Sequence, residues 1–403
     1  MKIKESINEN IKRFKVSDSN IYIWQKPLFN TQYVSIGFQC GGMTKHILKN
    51  KELVSPGIAH LVEHITLDGI KNGLFKEFML RGARCNGYTH LINTVYTFET
   101  MNDNTGLLIE YINHLLNLKV EDEIVIKQKE IILSEIRTQY KSPYELLINR
   151  SIESLLEEDH KWFSIIGTEE DLINIQLDEI INFKNQFYNL SNMNVLVSGA
   201  VNEQKLLNSF NEIKSLKHSE SNLSVMIGNK EVKARKVSNN ENQLVLSFKD
   251  AAFHNEYDIV YSEILMTILF EYIIGNGSKL FNQLKVKKCN MSFFSDFTKR
   301  YGVGIINVIS NDNSIDSIET HIYKYLENFL KNNEIDDKEF IYAKNRVYGR
   351  TLSLLDYPNR ASDKIQWLLS YGVNYKAYLT FINSVTKSQI INYGEKILNK
   401  LFR

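Results

Sequence analysis

The sequence predicts an α+β protein of two domains, and three observations lead there. The chain has 403 residues, 43% hydrophobic and 24% charged, an ordinary globular composition long enough for two or three cores at roughly 100–200 residues each. Strand-like and helix-like patterns are mixed along its whole length. Between Ser215 and Asn240 it turns polar and charged, with Lys217-His218-Ser219-Glu220-Ser221-Asn222 and then Lys230 to Asn240, as expected of a boundary. The division is therefore 1–214, a linker at 215–238, and 239–403.

The elements follow in order. Val34-Ser35-Ile36-Gly37-Phe38 alternates as a half-buried strand and Gly41-Gly42 breaks it. Ser55 to about Gly69 reads as a helix, with Pro56 near its start where a missing N–H costs little. Tyr88 to Glu99, rich in Thr, Tyr, Val and Phe, reads as a strand. Leu107–Leu118 and Glu121–Tyr140 carry helical apolar spacing, and Asn194–Gly199 reads as a short buried strand. In the second half, Gln243–Phe248 is a strand and Ile259–Ile274 a long apolar helix. A weak repeat, Ile180-Ile181-Asn182-Phe183 against Ile390-Ile391-Asn392-Tyr393, agrees with the division.

Charge and cysteine usage exclude several classes. With 48 basic and 47 acidic residues the formal charge is +1, without the basic excess that a nucleic-acid or anionic-membrane partner calls for. Cys40, Cys85 and Cys289 are scattered and odd in number, which suits a reduced protein better than a disulfide framework. The first ten residues, Met1 to Asn10, lack the apolar core of a signal peptide, and no run of eighteen apolar residues occurs. The expected location is the cytoplasm.

The chemistry concentrates in Gly57-Ile58-Ala59-His60-Leu61-Val62-Glu63-His64. On a helix, residues four apart share a face, so His60 and His64 can grip one cation. Glu63 lies beside them, placed to take a proton from water rather than to bind. With nine histidines in the chain, a chance match to this pattern is expected far less than once. The ordinary reading of a helical histidine is a satisfied core or surface residue. A third ligand is needed, and Glu135 is the best candidate. It shares a helix face with Gln128, Ile131 and Ile132, and a carboxylate on a mostly buried stripe needs a partner. Glu130 and Glu123 are the alternatives, nearer the solvent face.

His-x-x-Glu-His is the inverted zincin signature, and its surroundings resemble the insulinase/pitrilysin family of zinc peptidases. Gly82-Ala83-Arg84-Cys85-Asn86-Gly87-Tyr88-Thr89 with Thr94-Val95-Tyr96 is similar to that family's Gly-Ala-x-x-Asn-Ala-x-Thr and Thr-x-Tyr strand. Ile131 to Glu135 resembles the segment holding its third zinc ligand, and Gly275-Asn276-Gly277-Ser278-Lys279-Leu280-Phe281 its glycine-rich turn. The resemblance implies two homologous α/β domains, each a mixed, largely antiparallel sheet packed with helices, forming half of a clamshell. It also implies zinc on His60, His64 and Glu135, Glu63 as general base, and a peptide lying beside Asn86 as an added strand.

The sequence departs from the family in two places. Where another glutamate is usual it has Gln128, which would act on a ligand through a hydrogen bond without carrying charge. The Arg and Tyr that the second domain offers to substrate are matched by Lys285 and Ser292. Lysine lacks the planar fork and serine the reach of a phenol. This implies a zinc-bearing subunit whose homologous partner supplies the Arg/Tyr half-site. Its substrate would be a short unfolded peptide, such as a precursor or leader. The alternative is a non-catalytic peptide-binding or structural subunit of the same family. A nucleotide site at Gly275 to Lys279 is not favoured, because the turn follows a helix and lacks P-loop spacing.

Overall fold

Ile58, Leu61, Val62 and Ile65 are wholly or almost wholly buried, and the helix they build, α1 (Ile58–Leu80), lies at the centre of the first core. In the computed structural model α1 begins at Gly57, whose φ of 83° suits glycine. A Cβ there would stand 2.5 Å from the Ile166 carbonyl oxygen. The structure describes residues 11–16, 18–44, 54–101, 104–139, 142–157, 164–213, 231–239, 242–251, 253–311, 315–332 and 334–402, with 71–73 in backbone only. The N-terminal residues 1–10 and the polar run 217–222 fall outside them.

The strands of the first half are β1 (Ile11–Val16), β2 (Ser19–Gln25), β3 (Thr31–Phe38), β4 (Arg84–Thr89), β5 (Thr94–Met101) and β6 (Met193–Gly199). They form one six-stranded sheet in the order β1-β2-β6-β3-β5-β4. Only β2 and β6 run parallel; every other pair is antiparallel. β6, buried at all seven positions, is the inner strand its apolar run predicts. The helices α2 (Thr105–Asn117), α3 (Asp122–Gln139), α4 (Pro143–Leu156), α5 (Glu169–Asn174), α6 (Leu177–Phe187) and α7 (Glu203–Phe210) follow in chain order around β6.

The second half repeats the plan. β7 (Lys233–Ser238), β8 (Gln243–Asp250), β9 (Cys289–Phe297) and β10 (Gly302–Ser310) form an antiparallel sheet ordered β7-β8-β10-β9. α8 (Glu256–Ile274) is buried almost all round, and α9 (Lys279–Val286) follows the glycine-bearing turn. Then come α10 (Ile315–Asn332), α11 (Asp337–Leu354), α12 (Pro358–Leu369), α13 (Tyr375–Ser384) and α14 (Lys387–Leu398). The fold is α+β, as the sequence predicts.

Two compact units emerge from the contacts. One comprises 1–136, 161–224 and 357–370; the other comprises 137–160, 225–356 and 371–403. α12 therefore packs in the first unit, on β3 and β6, and α4 in the second, on β7 and β8.

Several expectations are corrected. Residues 233–238, assigned by charge to the linker, form β7 at the edge of its sheet; lysines are a common guard on edge strands. Tyr88 to Glu99 is a hairpin of two strands, closed by the bond from the His90 amide to the Asn93 carbonyl at 2.8 Å. α1 runs on past Gly69 to Leu80. Gly69 is a close-approach residue instead of a stop, for its Cβ would meet Leu118 Cδ1 at 2.6 Å.

Candidate metal centre

Two helices and one strand of the first unit build the site. α1 carries His60, Glu63 and His64 on one side, with ring centroids of the two histidines 4.5 Å apart. α3 brings Glu135, whose carboxylate oxygens lie 4.0 Å from His60 Nε2 and 3.8 Å from His64 Nε2. Ligands bonded at ~2.0–2.2 Å to one cation cannot stand more than about 4.4 Å apart, and both pairs fall inside that limit. Glu63 Oε2 is 3.8 Å from His60 Nε2. These separations are too long for hydrogen bonds, so the groups face a common point without satisfying one another.

The structure places Glu135 beside both histidines, but not on the buried stripe that the sequence argument gave it. Its side chain is 43% exposed, and the buried stripe of α3 is Val125, Gln128, Ile132 and Ile136. Ile131 is exposed as well. Glu135 stands at the rim of that stripe, where the site opens to solvent. Glu123 and Glu130 are exposed on the same helix, and no ion pair joins either to the histidines.

The remaining groups set orientation and charge. Gln128, buried on α3, places Oε1 3.3 Å from His64 Nδ1. From β4, Thr89 Oγ1 donates to Glu63 Oε2 at 3.3 Å. Gly87 lies under the same carboxylate, and a Cβ there would be 3.1 Å from Glu63 Oε1. Thr89 and Gly87 were not singled out as site residues from sequence; strand alternation, which turns both toward α1, was the available signal. Asn86 is exposed on the opposite face of β4. Lys285, in the last turn of α9, and Ser292, on β9, belong to the second unit and are exposed.

Burial, then His64 beside it, pushes His60 down to about 3, so its ring is neutral at ordinary pH. Burial raises Glu63 to about 7; the Thr89 hydrogen bond opposes that rise and the Glu135 charge adds to it. Among the described residues no lysine or arginine forms an ion pair with either carboxylate. Two imidazoles and two carboxyl groups gathered round one point form a donor set with no cation of its own among the described residues. The chemistry fits a divalent ion of the zinc type, which favours imidazole nitrogen and carboxylate oxygen. His60, Glu63 and His64 are themselves compact, with ligand atoms within 4.8 Å of one another, so two carboxylates could serve as third ligand. Glu63 already accepts from Thr89, whereas Glu135 approaches both rings.

A helical His-x-x-Glu-His with a carboxylate from a separate helix beside it is an arrangement able to hold a metal ion. The chain belongs to the insulinase family. The profile described as Insulinase (Peptidase family M16) matches residues 50–169, and that of the Peptidase M16 inactive domain matches 174–347. Across 96% of its length the chain is 23% identical to 94% of a Bacillus subtilis protein called an uncharacterized zinc protease, YmfH. Over 38% of its length it is 24% identical to 33% of the mitochondrial-processing peptidase subunit beta of Neurospora crassa. The fold matches the crystal structure of an M16-like peptidase from Alicyclobacillus acidocaldarius, with a TM-score of 0.84, 17% identity and coverage of 97% and 96%. Among the described residues no helix is long and apolar enough to cross a membrane.

Proposed function

We propose that this chain is the zinc-bearing subunit of a metalloendopeptidase acting on short unfolded peptides in the cytoplasm. The metal site lies in the domain of residues 1–214; residues 239–403, with β7, form its homologue. The observation that carries the reading is the approach of His60 Nε2 and His64 Nε2 to the Glu135 carboxylate, both within 4.0 Å, with Glu63 alongside. His60, His64 and Glu135 would hold the ion. Zinc bound there supplies Lewis acidity and makes water a nucleophile near neutral pH. Glu63 takes the proton from the attacking water and passes it to the leaving amine. Gln128 holds His64 with Nε2 toward the ion. β4 ends the sheet, and its outer backbone edge can receive an extended peptide as one more strand. Asn86 lies on that strand, beside the bound chain.

The partner is proposed to be a homologous chain supplying the arginine and tyrosine, since Lys285 and Ser292 stand in their places here. A relative named as a peptidase subunit supports the pairing. The natural substrate on this reading is a peptide precursor or leader.

Metal analysis combined with peptide hydrolysis tests the proposal. The wild-type chain should hold about one zinc, Glu63→Gln should keep the metal and lose hydrolysis, and Glu135→Gln should lose the metal. A co-purified complex that keeps its metal but hydrolyses nothing would leave the chain a non-catalytic peptide-binding subunit. Absence of bound metal from the wild type would remove the reading itself.

A further inference from the structure

β4 has two faces, and the reading above uses one. Gly87 and Thr89 turn toward Glu63. Arg84, Asn86 and Tyr88 turn the other way, and there the Tyr88 hydroxyl donates a hydrogen bond to the Asp363 carboxylate on α12. His90 packs edge-on to the Tyr88 ring at 5.0 Å. Ser362, beside Asp363 in α12, interacts with Tyr33 as well as Tyr88. α12 is anchored on the sheet by Gln366, whose Nε2 donates to Ser35 O and Ser35 Oγ at 3.0 Å each. Asp363 is thus an exposed carboxylate on a fixed helix, held by a phenol beside the open edge of the sheet.

Asp363 is the carboxylate that the Tyr88 hydroxyl holds on this face. Arg84 and Glu99 are cross-strand neighbours of opposite sign and together add no net charge. No lysine or arginine among the described residues forms an ion pair with Asp363. A peptide added to β4 alternates its side chains between the two faces. A residue set opposite Tyr88 points toward Asp363, while its neighbours in sequence point toward Glu63. The carboxylate stands a full phenol's length from the β4 backbone, a reach that lysine and arginine match.

We infer that Asp363, positioned by Tyr88, is a specificity residue that selects peptides with a lysine or arginine next to the residues facing Glu63. The inference rests on the peptidase reading and on strand addition to β4. Each basic head group would donate to the carboxylate oxygen that Tyr88 leaves open.

The test uses the zinc-loaded assembly co-purified from its native source and matched peptides in which lysine or norleucine occupies each position flanking the cleaved bond. At one position kcat/KM should favour lysine by about fivefold, the size expected of an exposed ion pair, and the preference should shrink in high salt. Asp363→Asn should abolish the preference while norleucine peptides are cut within about twofold of the parent rate. Asp363→Lys should transfer it to glutamate peptides. Tyr88→Phe should weaken it without reversing it. A lysine preference that survives Asp363→Asn, or none in the wild type, overturns the inference and leaves the peptidase reading intact. Failure to cut any peptide removes both.

Discussion

His64 Nδ1 and Gln128 Oε1 stand 3.3 Å apart, joining α1 to α3 across 64 residues of sequence. An amide oxygen facing Nδ1 favours the tautomer that donates there and leaves the Nε2 lone pair toward Glu135. Gln128→Ala should therefore weaken zinc binding by about 10- to 100-fold, the usual loss when such a support is removed. Gln128→Glu should hold zinc at least as tightly as the parent, because a carboxylate raises the basicity of the ring. Competition with a chromophoric chelator measures both, and unchanged affinity in Gln128→Ala would make the contact incidental.

Gly87 is the second point at which packing sets the chemistry. Its Cβ would approach Glu63 Oε1 and Leu67 Cδ1, each at 3.1 Å, and Tyr96 Cδ1 at 3.2 Å. Gly87→Ala asks each neighbour to yield by a few tenths of an ångström and should be tolerated. Gly87→Val cannot be accommodated so cheaply and should destabilise by about 1–3 kcal/mol. It should also push the Glu63 carboxylate aside, lowering kcat while zinc content stays near one. Equal activity of the valine variant and the parent would show that Glu63 needs no fixed place.

Much of the site was legible because its information is local. His60, Glu63 and His64 lie within five residues, and a helical period alone puts the two imidazoles on one face. For Glu135 the buried-stripe argument failed: period fixes which residues share a face, not how much water that face meets. The hairpin at 90–93 was missed because Leu91 and Ile92 are buried in the turn, so it carries none of the glycine or proline that marks one. The placement of α12 was out of reach. Gln366 meets Ser35 across 331 residues, and no periodicity encodes a partner so distant.

That long-range contact makes its own prediction. Gln366 is 1% exposed and covers Gly37, while Nε2 satisfies Ser35 O and Ser35 Oγ. Gln366→Ala would strand those acceptors in a dry place, at a cost of about 1–3 kcal/mol. Ser35→Ala should cost less, since the amide keeps the Ser35 carbonyl. Denaturant unfolding of the two single variants and the double variant measures the coupling. Strict additivity would mean that α12 is held by its apolar side alone.

Lys184 gives a pH dependence of definite sign. It is 4% exposed, donates from Nζ to the Leu115 carbonyl at 2.6 Å and sits 4.8 Å from the centre of the Tyr188 ring. Burial brings it down to about 7 from an ordinary 10.5. Between those values the unfolded chain binds a proton that the folded chain does not, so stability rises with pH there. Below about 7 both states are protonated and the contribution is flat at its least favourable. Lys184→Met should remove this response. The stability difference between variant and parent should change by up to about 1.4 kcal/mol per pH unit from pH 7 to 9, with the variant the more stable at pH 6. Parallel curves would mean that the ammonium stays charged in the folded protein.

The second unit holds a buried carboxylate answered by two arginines. Pro143 opens α4 and Pro358 opens α12, and the same 215-residue offset carries Glu135 onto Arg350. Arg350 Nη2 reaches Glu271 Oε2 at 2.7 Å, and Arg346 Nε reaches Glu271 Oε1 at 2.7 Å. Glu271, its side chain 1% exposed, comes from α8, the helix that follows the inner strand as α1 does in the first unit. Two guanidinium groups thus answer a buried carboxylate inside the second unit. Replacing both arginines by alanine would leave Glu271 buried and unpaired, at a cost of about 3–5 kcal/mol. Either single change should cost much less, because the other arginine remains, so the pair should be strongly non-additive. Adding Glu271→Leu to the double variant should recover most of the loss by removing the stranded charge. If the triple variant is no more stable than the double, the arginines hold the unit through their packed stems and not through the charge of Glu271.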